Sequence, residues 1–290
     1  MGTCLSQSNA NLAIDRRGYA DLIVSRLLAA QAQLTAEFRR PGRIPSCVVD
    51  DLLPPPRAQE IFDAFPDPST MMEKKSLREH KLVAAQLNQF NPIIEEIVFA
   101  FQDHRVVKLV EDITGIKGMS PDDHLYAGGI SLMACRHFLN PHLDNSHDKD
   151  RNLYRVLNLL YYVSPGWTHE SGGNLELWDD GPGGKPREIV SKFNRLVLMA
   201  TNQESWHSVT AVTSSALPRC CVSNYYFAPA PLEAHQYFHV TTFRGRPEQS
   251  VRDLVLRGDA ALRMGIRKLF PHGIKKQKHL YVKDDDPRQD

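Results

Sequence analysis

The stretch RVLNLLYYV at residues 155–163 is a short run of aliphatic and aromatic residues with turn-forming residues on both sides. Runs of the same kind lie at 130–138, 174–178, 195–200 and 220–227, and Gly, Pro, Asn and Asp residues separate them. Closely spaced short strands of this type are typical of an antiparallel barrel or jelly roll. We therefore expect residues 116–230 to form a mainly β core.

The chain on either side of this core has helical spacing. Apolar residues recur every three or four positions over 18–40 and 248–270, and two helices, or one interrupted helix, are predicted over 91–115. A strand at 44–53 runs into three prolines, and a short helix at 57–65 follows them. The predicted fold class is α+β with a mainly β core: a double-stranded β-helix (jelly roll, cupin-like) flanked by N-terminal and C-terminal helices.

A chain of 290 residues is long enough for one large domain with a sizeable buried core. We expect a flexible N-terminal tail at 1–17 and a single domain at 18–290. Within that domain the predicted parts are a helical support region at 18–115, the jelly-roll core at 116–230, and a C-terminal helical extension with a basic and then acidic tail at 231–290.

The composition excludes several classes of partner. Charged residues make up 24% of the chain and nearly cancel to a formal net charge of +1, so bulk charge does not favour nucleic acid or anionic lipid. The five cysteines form no C-x-x-C pair, which favours a reducing compartment, and no apolar run approaches the roughly 18 residues needed to cross a membrane. We expect a soluble cytoplasmic protein with no transmembrane segment, and its oligomeric state is left open.

The N-terminal sequence MGTCLS matches the N-myristoylation pattern, with Cys4 as a candidate second lipid site. No polybasic patch follows it, and one acyl chain gives only marginal membrane binding. A polar tail is the default interpretation, and use of the motif is left open.

A candidate metal site begins at His142 and Asp144. On an extended chain, residues two positions apart share a face, so the imidazole and the carboxylate become neighbours. Closure of the barrel can bring His207 opposite them. Two histidines and one carboxylate occupy one face of an octahedron and leave three positions open, which suits Fe(II) with a bidentate 2-oxo acid and dioxygen.

Arg219 opens the apolar strand at 220–227 shortly after His207. A buried arginine needs an anion, and a bidentate grip on the distal carboxylate of 2-oxoglutarate would supply one.

Several blocks of sequence agree, in order, with one known family. They are HLDN at 142–145, LLYYV at 159–163, GGNLELW at 172–178, NRLVLM at 194–199, WHSV at 206–209, and Arg219 with YYF at 225–227. The segment from about 130 to 227 resembles the prolyl-hydroxylase-like branch of the Fe(II)/2-oxoglutarate-dependent oxygenases. The glycines at 172 and 173 are expected to serve a turn rather than chemistry.

This resemblance implies a dioxygenase that hydroxylates an unactivated carbon and releases succinate and CO2. Its implied cofactor is Fe(II), held by His142, Asp144 and His207, with 2-oxoglutarate and O2 as co-substrates and ascorbate as a candidate reductant. It also implies that Tyr162 binds the distal carboxylate together with Arg219. Asn158 shares the face of Tyr162 by strand alternation and is a further candidate for the co-substrate site.

Substrate recognition is expected from loops at the mouth of the core and from the flanking helices. Candidate residues are Arg136, His137, Arg155 and, in the segment 239–246, Arg244. Together they favour a small polar or anionic molecule such as a sugar acid, an amino acid or a biosynthetic intermediate. The alternatives are a peptidyl-prolyl hydroxylase, a cupin-like zinc metalloenzyme that does not use 2-oxoglutarate, and a catalytically silent binding protein on the same fold.

Overall fold

The structure is a computed structural model that describes residues 14–269 and 280–282. Most of the predicted N-terminal tail, with its myristoylation-like motif, and the charged segments of the C-terminal tail lie outside the described residues. Helix α1 begins at Arg16, so the last two residues of the predicted tail are helical. In the described part of the chain, no helix combines the length and the apolar character needed to cross a membrane.

Residues 14–269 contain five α-helices, and local sequence explains the bounds of the first and the fourth. Asp15 caps the first helix by accepting a hydrogen bond from the Gly18 amide, and Asp103 caps the fourth through the Arg105 amide. The fourth helix ends at Gly115, which has the left-handed conformation (φ +81°) common at helix C-termini. The helices are α1 (Arg16–Phe38), α2 (Pro55–Asp63), α3 (Pro92–Ala100), α4 (His104–Thr114) and α5 (Ser250–Leu269).

In the described part of the chain, thirteen strands form one curled, wholly antiparallel sheet with a half-barrel shape. Its main path runs β1-β10-β7-β12-β5-β3-β6-β11-β8-β9, with β13 beside β6, β2 beside β3 and β4 beside β12. The strands are β1 (Ser46–Val49), β2 (Met72–Lys75), β3 (Glu79–Ala84), β4 (Ser120–Pro121), β5 (Gly129–Met133), β6 (Phe138–Leu143), β7 (Tyr154–Tyr162), β8 (Leu175–Leu177), β9 (Arg187–Ile189), β10 (Arg195–Ala200), β11 (His207–Val209), β12 (Arg219–Ala228) and β13 (Thr242–Phe243).

The predicted helical support region is a mixture of helices and strands. It contributes β1, β2 and β3 to the sheet, and β3 lies between β5 and β6 near the middle of the strand order. The sequences of β2 and β3, MEKK and EHKLVA, contain five charged residues, which conceal the strand pattern. The mainly β architecture with helices on the outside is as predicted.

The two faces of the sheet bury different groups of side chains. On the helix-covered face, Leu159 and Tyr161 of β7 pack with Leu27 of α1 and Ile97 of α3. The opposite face looks into the curl of the sheet, where Tyr162 packs with apolar residues of β8, β9, β10 and β12. Strand alternation therefore sends successive residues of β7 alternately to the helices and to the interior.

A register shift between β7 and β12 changes this alternation at one end. Tyr225 is opposite Asn158 and Tyr226 is opposite Leu157, but Phe227 is opposite Arg155. The bulge passes over Val156, so both Asn158 and Arg155 reach the interior although they are three residues apart.

Candidate metal centre

Three side chains meet at the interior end of β6 and β11. His142 lies on β6, Asp144 follows the end of that strand, and His207 begins β11 directly opposite His142 in the register. The Nε2 atoms of His142 and His207 are each 3.7 Å from an oxygen of Asp144. One ligand atom from each residue lies within 4.8 Å of the others. The structure thus brings together the three predicted iron ligands.

Backbone carbonyl groups orient both imidazole rings. The Nδ1 of His142 lies 3.0 Å from the carbonyl oxygen of Asn140, and that of His207 lies 2.9 Å from the carbonyl oxygen of Ser205. A carbonyl can only accept, so Nδ1 carries the proton and the lone pair of Nε2 is available for a metal. Burial lowers the pKa of His142 to about 3, with further lowering by His207, so this ring is neutral near pH 7.

The carboxylate of Asp144 is held through a single oxygen. Asn158 Nδ2 donates to Oδ2 over 2.8 Å, and Arg155 Nη1 lies 3.2 Å from the same atom. Burial alone would raise the pKa of Asp144, but the positive charge of Arg155, the neighbouring His207 and His142 and the bond from Asn158 hold it below its usual value. The carboxylate is therefore ionised, and Oδ1 is the oxygen better placed to bind a metal.

The structure corrects the prediction that Arg155 recognises substrate from the mouth. Its side chain is 3% exposed, it pairs with Asp144, and its guanidinium lies 4.4 Å from the centre of the Tyr225 ring. The physical reason is the bulge between β7 and β12, which turns position 155 inward. Asn158 does lie on the interior face as predicted, where its amide group contacts Asp144, and a contact with the co-substrate stays a prediction.

Arg219 lies on the first residue of β12 with its side chain in the interior. It is 4% exposed, its Nε donates to Ser191 Oγ over 2.9 Å, and its Nη1 contacts the Met133 sulfur at 3.6 Å. Among the described residues, no carboxylate pairs with it. A buried cation without a counter-charge is costly, so this guanidinium is suited to bind an anionic ligand.

Tyr162 and Gly173 shape the space around this guanidinium. The Tyr162 ring centre is 4.6 Å from the Arg219 guanidinium carbon, and its buried hydroxyl has no hydrogen-bond partner in the described part of the chain. Gly173 has φ +60°, and a Cβ there would lie 2.7 Å from Arg219 Cδ. The glycine is thus required both by the turn and by the close passage of the arginine side chain.

The remaining predicted substrate residues are not gathered at one place. Arg136 is exposed in a turn that interrupts the predicted strand at 130–138, whereas His137 is buried and stacks on His80 with ring centres 3.7 Å apart. Arg244 donates to both oxygens of Asp253 at 2.6 and 3.1 Å. His137 and Arg244 therefore have structural partners of their own, because the strand ends fold these polar groups against neighbouring elements.

The chain beyond β12 returns to the metal centre. Phe243 on β13 stacks on His142, with ring centres 5.0 Å apart and planes 16° apart. Arg246 makes a two-bond contact with the buried Glu176 carboxylate, at 2.9 and 2.6 Å, and Ser208, next to His207, donates to the same carboxylate at 2.5 Å. Sequence reasoning assigned no role to Glu176, although it lies in the GGNLELW block at 172–178, or to Ser191, which has no motif around it.

Comparison with known proteins gives a family for the core. The family model described as the 2OG-Fe(II) oxygenase superfamily matches residues 128–227. The mouse protein named Prolyl 3-hydroxylase OGFOD1 is 30% identical over 96 residues, which is 32% of this chain and 17% of the relative. The Xenopus laevis protein of that name is 31% identical over 84 residues, 28% of this chain and 16% of the relative. The chain thus spans about a sixth of the length of the curated relatives it matches.

Solved structures support the fold alone. A prolyl 4-hydroxylase structure from Phytophthora capsici aligns with a TM-score of 0.50 at 16% identity, covering 90% of this chain and 81% of that one. The curled antiparallel sheet is therefore of the jelly-roll type. The converging His142, Asp144 and His207, the buried Arg219 and the family match agree. Residues 128–227 thus match the 2OG-Fe(II) oxygenase superfamily, and this core is similar to part of the proteins named prolyl 3-hydroxylases.

Proposed function

We propose that this protein is an Fe(II)- and 2-oxoglutarate-dependent dioxygenase that hydroxylates a carbon of its substrate. One observation carries the proposal. The three-residue ligand set and a buried arginine that pairs with no carboxylate of the described residues both lie inside the sheet, so one interior offers groups complementary to an ion and to a dicarboxylate. A zinc metalloenzyme that does not use 2-oxoglutarate would provide no carboxylate ligand for the buried Arg219.

The ligand set fits ferrous iron. Two neutral imidazole nitrogens and one carboxylate oxygen are the donors that non-haem Fe(II) oxygenases use, and no cysteine sulfur belongs to the cluster. His142 and His207 would bind through Nε2 and Asp144 through Oδ1. When bound, the iron would supply the activation of dioxygen with 2-oxoglutarate as the electron donor, giving succinate, CO2 and a hydroxylated product.

Arg219 and Tyr162 would hold the distal carboxylate of 2-oxoglutarate. The guanidinium supplies charge and fixed N–H donors, and the tyrosine supplies an O–H that has no other partner among the described residues. Burial raises the pKa of Tyr162 although the charge of Arg219 lowers it, so the hydroxyl stays protonated and donates. Ser191 fixes the guanidinium through its Nε, which leaves the other guanidinium nitrogens for the ligand.

Apolar side chains around Tyr162 keep water from the same interior. Leu175, Leu177, Val197 and Met199 are each at most 1% exposed. In a dry cavity a charged hydrogen bond is stronger than in water, and side reactions with solvent are suppressed. The residues of β8 and β10 thus favour both tight binding of the co-substrate and productive turnover.

For the substrate, we propose a peptidyl proline. The two curated relatives are named prolyl 3-hydroxylases, and this alternative fits the comparisons better than a small anionic molecule does. The small anionic substrate is kept as a second candidate because of two lysines. Lys74 and Lys81 are paired across β2 and β3, and the charge of Lys81 is near enough to contribute to the lowered pKa of His142.

We also propose a reducing, cytoplasmic location, supported by the free thiols of the cysteines in the described residues.

Formation of succinate tests the proposed reaction. Protein loaded with Fe(II) should convert 2-oxoglutarate to succinate, faster with its substrate, and zinc should not replace iron. Proline-containing peptides and small acids, including sugar acids and amino acids, would be compared as stimulants. Stimulation by peptides alone supports the prolyl assignment, and stimulation by small acids alone overturns it. Zinc-dependent turnover without succinate would overturn the whole proposal.

A further inference from the structure

Several buried polar atoms around Asp144 have no hydrogen-bond partner in the described part of the chain. They include Asn158 Oδ1 and Arg155 Nε, on two residues that contact Asp144, and Nε2 of His239, a residue near enough for the charge of Asp144 to raise its pKa against the effect of burial. A buried polar group without a partner costs about 1–3 kcal/mol, so such groups are rare in native proteins unless a ligand or water completes them. Their concentration beside one candidate metal ligand points to a binding site.

His239 is fixed beside the metal centre by the chain that follows Asp144. The Ser146 amide donates to the His239 carbonyl oxygen at 3.0 Å, and the His239 amide donates to Ser146 Oγ at 2.9 Å. The Arg155 amide donates to the Ser146 carbonyl oxygen at 2.9 Å. One residue, Ser146, therefore ties His239 to the strand that carries Arg155 and Asn158, although His239 lies outside the family match at 128–227.

The hydrogen bonding of the His239 ring fixes its tautomer. Nδ1 lies 3.4 Å from the Val240 carbonyl oxygen, which can only accept, so Nδ1 carries the proton. Nε2 is then a lone-pair acceptor, and it is the buried atom without a partner. The Tyr237 ring lies nearly parallel to the imidazole, with planes 10° apart and centres 5.6 Å apart, and restricts its rotation. Burial also lowers the pKa of His239, which keeps the ring neutral.

Two acceptors beside a carboxylate select the chemistry of the ligand. The lone pairs of His239 Nε2 and Asn158 Oδ1 repel another acceptor, and the negative charge of Asp144 disfavours an anion. A carboxylate such as that of 2-oxoglutarate is therefore not the group that completes them. They require a neutral ligand with N–H or O–H donors, and a peptide backbone offers an N–H at every residue except proline.

We propose that His239 is a substrate-binding residue that accepts a hydrogen bond from a backbone N–H of a peptide held beside Asp144, with Asn158 Oδ1 as a second acceptor. This inference rests on the proposed peptidyl-prolyl function and names the group by which the peptide is recognised. It makes the segment after β12 part of the substrate site and adds a residue that the family-matched core does not contain.

Selective removal of one ligand donor tests the contact. The probes are the acetylated and amidated pentapeptide Ala-Ala-Pro-Ala-Ala and four analogues, each N-methylated at one alanine. Affinities would be measured by calorimetry with anaerobic protein loaded with Fe(II) and 2-oxoglutarate. Since a buried hydrogen bond contributes about 1–1.5 kcal/mol, one analogue should bind about tenfold more weakly to the wild-type protein.

The variants His239→Leu and His239→Gln change the acceptor on the protein, as N-methylation removes the donor on the peptide. The parent peptide should bind His239→Leu about tenfold more weakly, and the sensitive analogue should lose nothing further. The glutamine variant retains an acceptor oxygen and should recover part of the affinity. The control is His104→Leu, whose side chain is 90% exposed and which should behave as the wild type.

If methylation and His239→Leu each weaken peptide binding by a separate factor, the combined loss of affinity is the product of the two. That result would overturn the inference, because the partner of Nε2 would then be an ordered water and not the peptide. Absence of peptide binding in a protein that still forms succinate would also overturn it while leaving the oxygenase reaction in place. Absence of succinate under all conditions would instead overturn the proposed function.

Discussion

Arg155 Nη1 lies 3.2 Å from Asp144 Oδ2, so a buried arginine is the counter-charge of a candidate iron ligand. The side chain of Arg155 is 3% exposed and that of Asp144 is 13% exposed, and Asn158 donates to the same oxygen. Without a metal, this arginine neutralises a carboxylate that burial would otherwise penalise. With a metal bound, the ion would supply positive charge on the other side of the carboxylate.

Replacement of Arg155 by methionine should therefore destabilise the metal-free protein more than the metal-loaded protein. Leaving a buried carboxylate unpaired costs about 3 kcal/mol, and a divalent cation would compensate much of that loss. Urea unfolding with and without Ni²⁺ measures both values. The variant Arg57→Met is the control, since Arg57 is a partly exposed residue that pairs with Glu60 on the same helix, α2. Equal losses with and without the metal would contradict this role.

Binding of 2-oxoglutarate should depend on both groups that surround the predicted distal carboxylate. Loss of a charged hydrogen bond costs about 2–3 kcal/mol, so Arg219→Gln should raise the Kd for 2-oxoglutarate about 30- to 160-fold. Tyr162→Phe removes a neutral donor and should raise it about fivefold. Calorimetry on Co²⁺-loaded protein measures these values. An unchanged Kd in Arg219→Gln would show that the co-substrate binds elsewhere.

Gly173→Ala should weaken 2-oxoglutarate binding although no charged residue is replaced. The added Cβ would lie 2.7 Å from Arg219 Cδ, and φ at this position is +60°, so both the arginine and the turn must shift. A loss of about 1–3 kcal/mol of stability is expected from such a backbone position. Gly183→Ala is a matched control because a Cβ there meets no atom within 4 Å. Equal behaviour of the two variants in calorimetry and thermal unfolding would refute the close passage.

The Arg246–Glu176 pair should anchor the segment after β12 to the metal centre. Arg246→Met leaves Glu176 buried and unpaired, and should cost about 3 kcal/mol of unfolding free energy. The double variant with Glu176→Gln should recover part of this loss, because no buried charge remains. Urea unfolding of the four proteins gives the coupling energy. Additive losses would mean that the two side chains do not interact in solution.

Sequence patterns predicted the parts of this structure that depend on local spacing. The helix and strand candidates of the core follow from apolar periodicity, and the H-x-D pair with a distant histidine predicted a convergence that the structure shows. The hairpin of β2 and β3 was missed because charged residues interrupt its pattern. Its place between β5 and β6 depends on pairing with distant strands, which local sequence does not encode.

The inward position of Arg155 shows a second limit of sequence reasoning. Counting by twos from Tyr162 places Asn158 in the interior and Arg155 outside it, and only the bulge at Val156 reverses the outcome. A bulge in a continuous apolar run leaves no local signal. For the same reason, the residues that orient the ligand histidines, the carbonyl groups of Asn140 and Ser205, could be found only from the structure.

We propose that His142, Asp144 and His207 hold one ferrous ion with 2-oxoglutarate beside it. Anaerobic titration of Fe(II)-loaded protein with 2-oxoglutarate tests it most directly, because chelation of a ferrous ion by a 2-oxo acid produces a charge-transfer absorption in the visible range. We predict that this absorption saturates at one iron per chain, is lost in Asp144→Ala and needs a higher 2-oxoglutarate concentration in Arg219→Gln. An absorption that persists unchanged in Asp144→Ala, or its absence from the iron-loaded wild-type protein, would contradict the account.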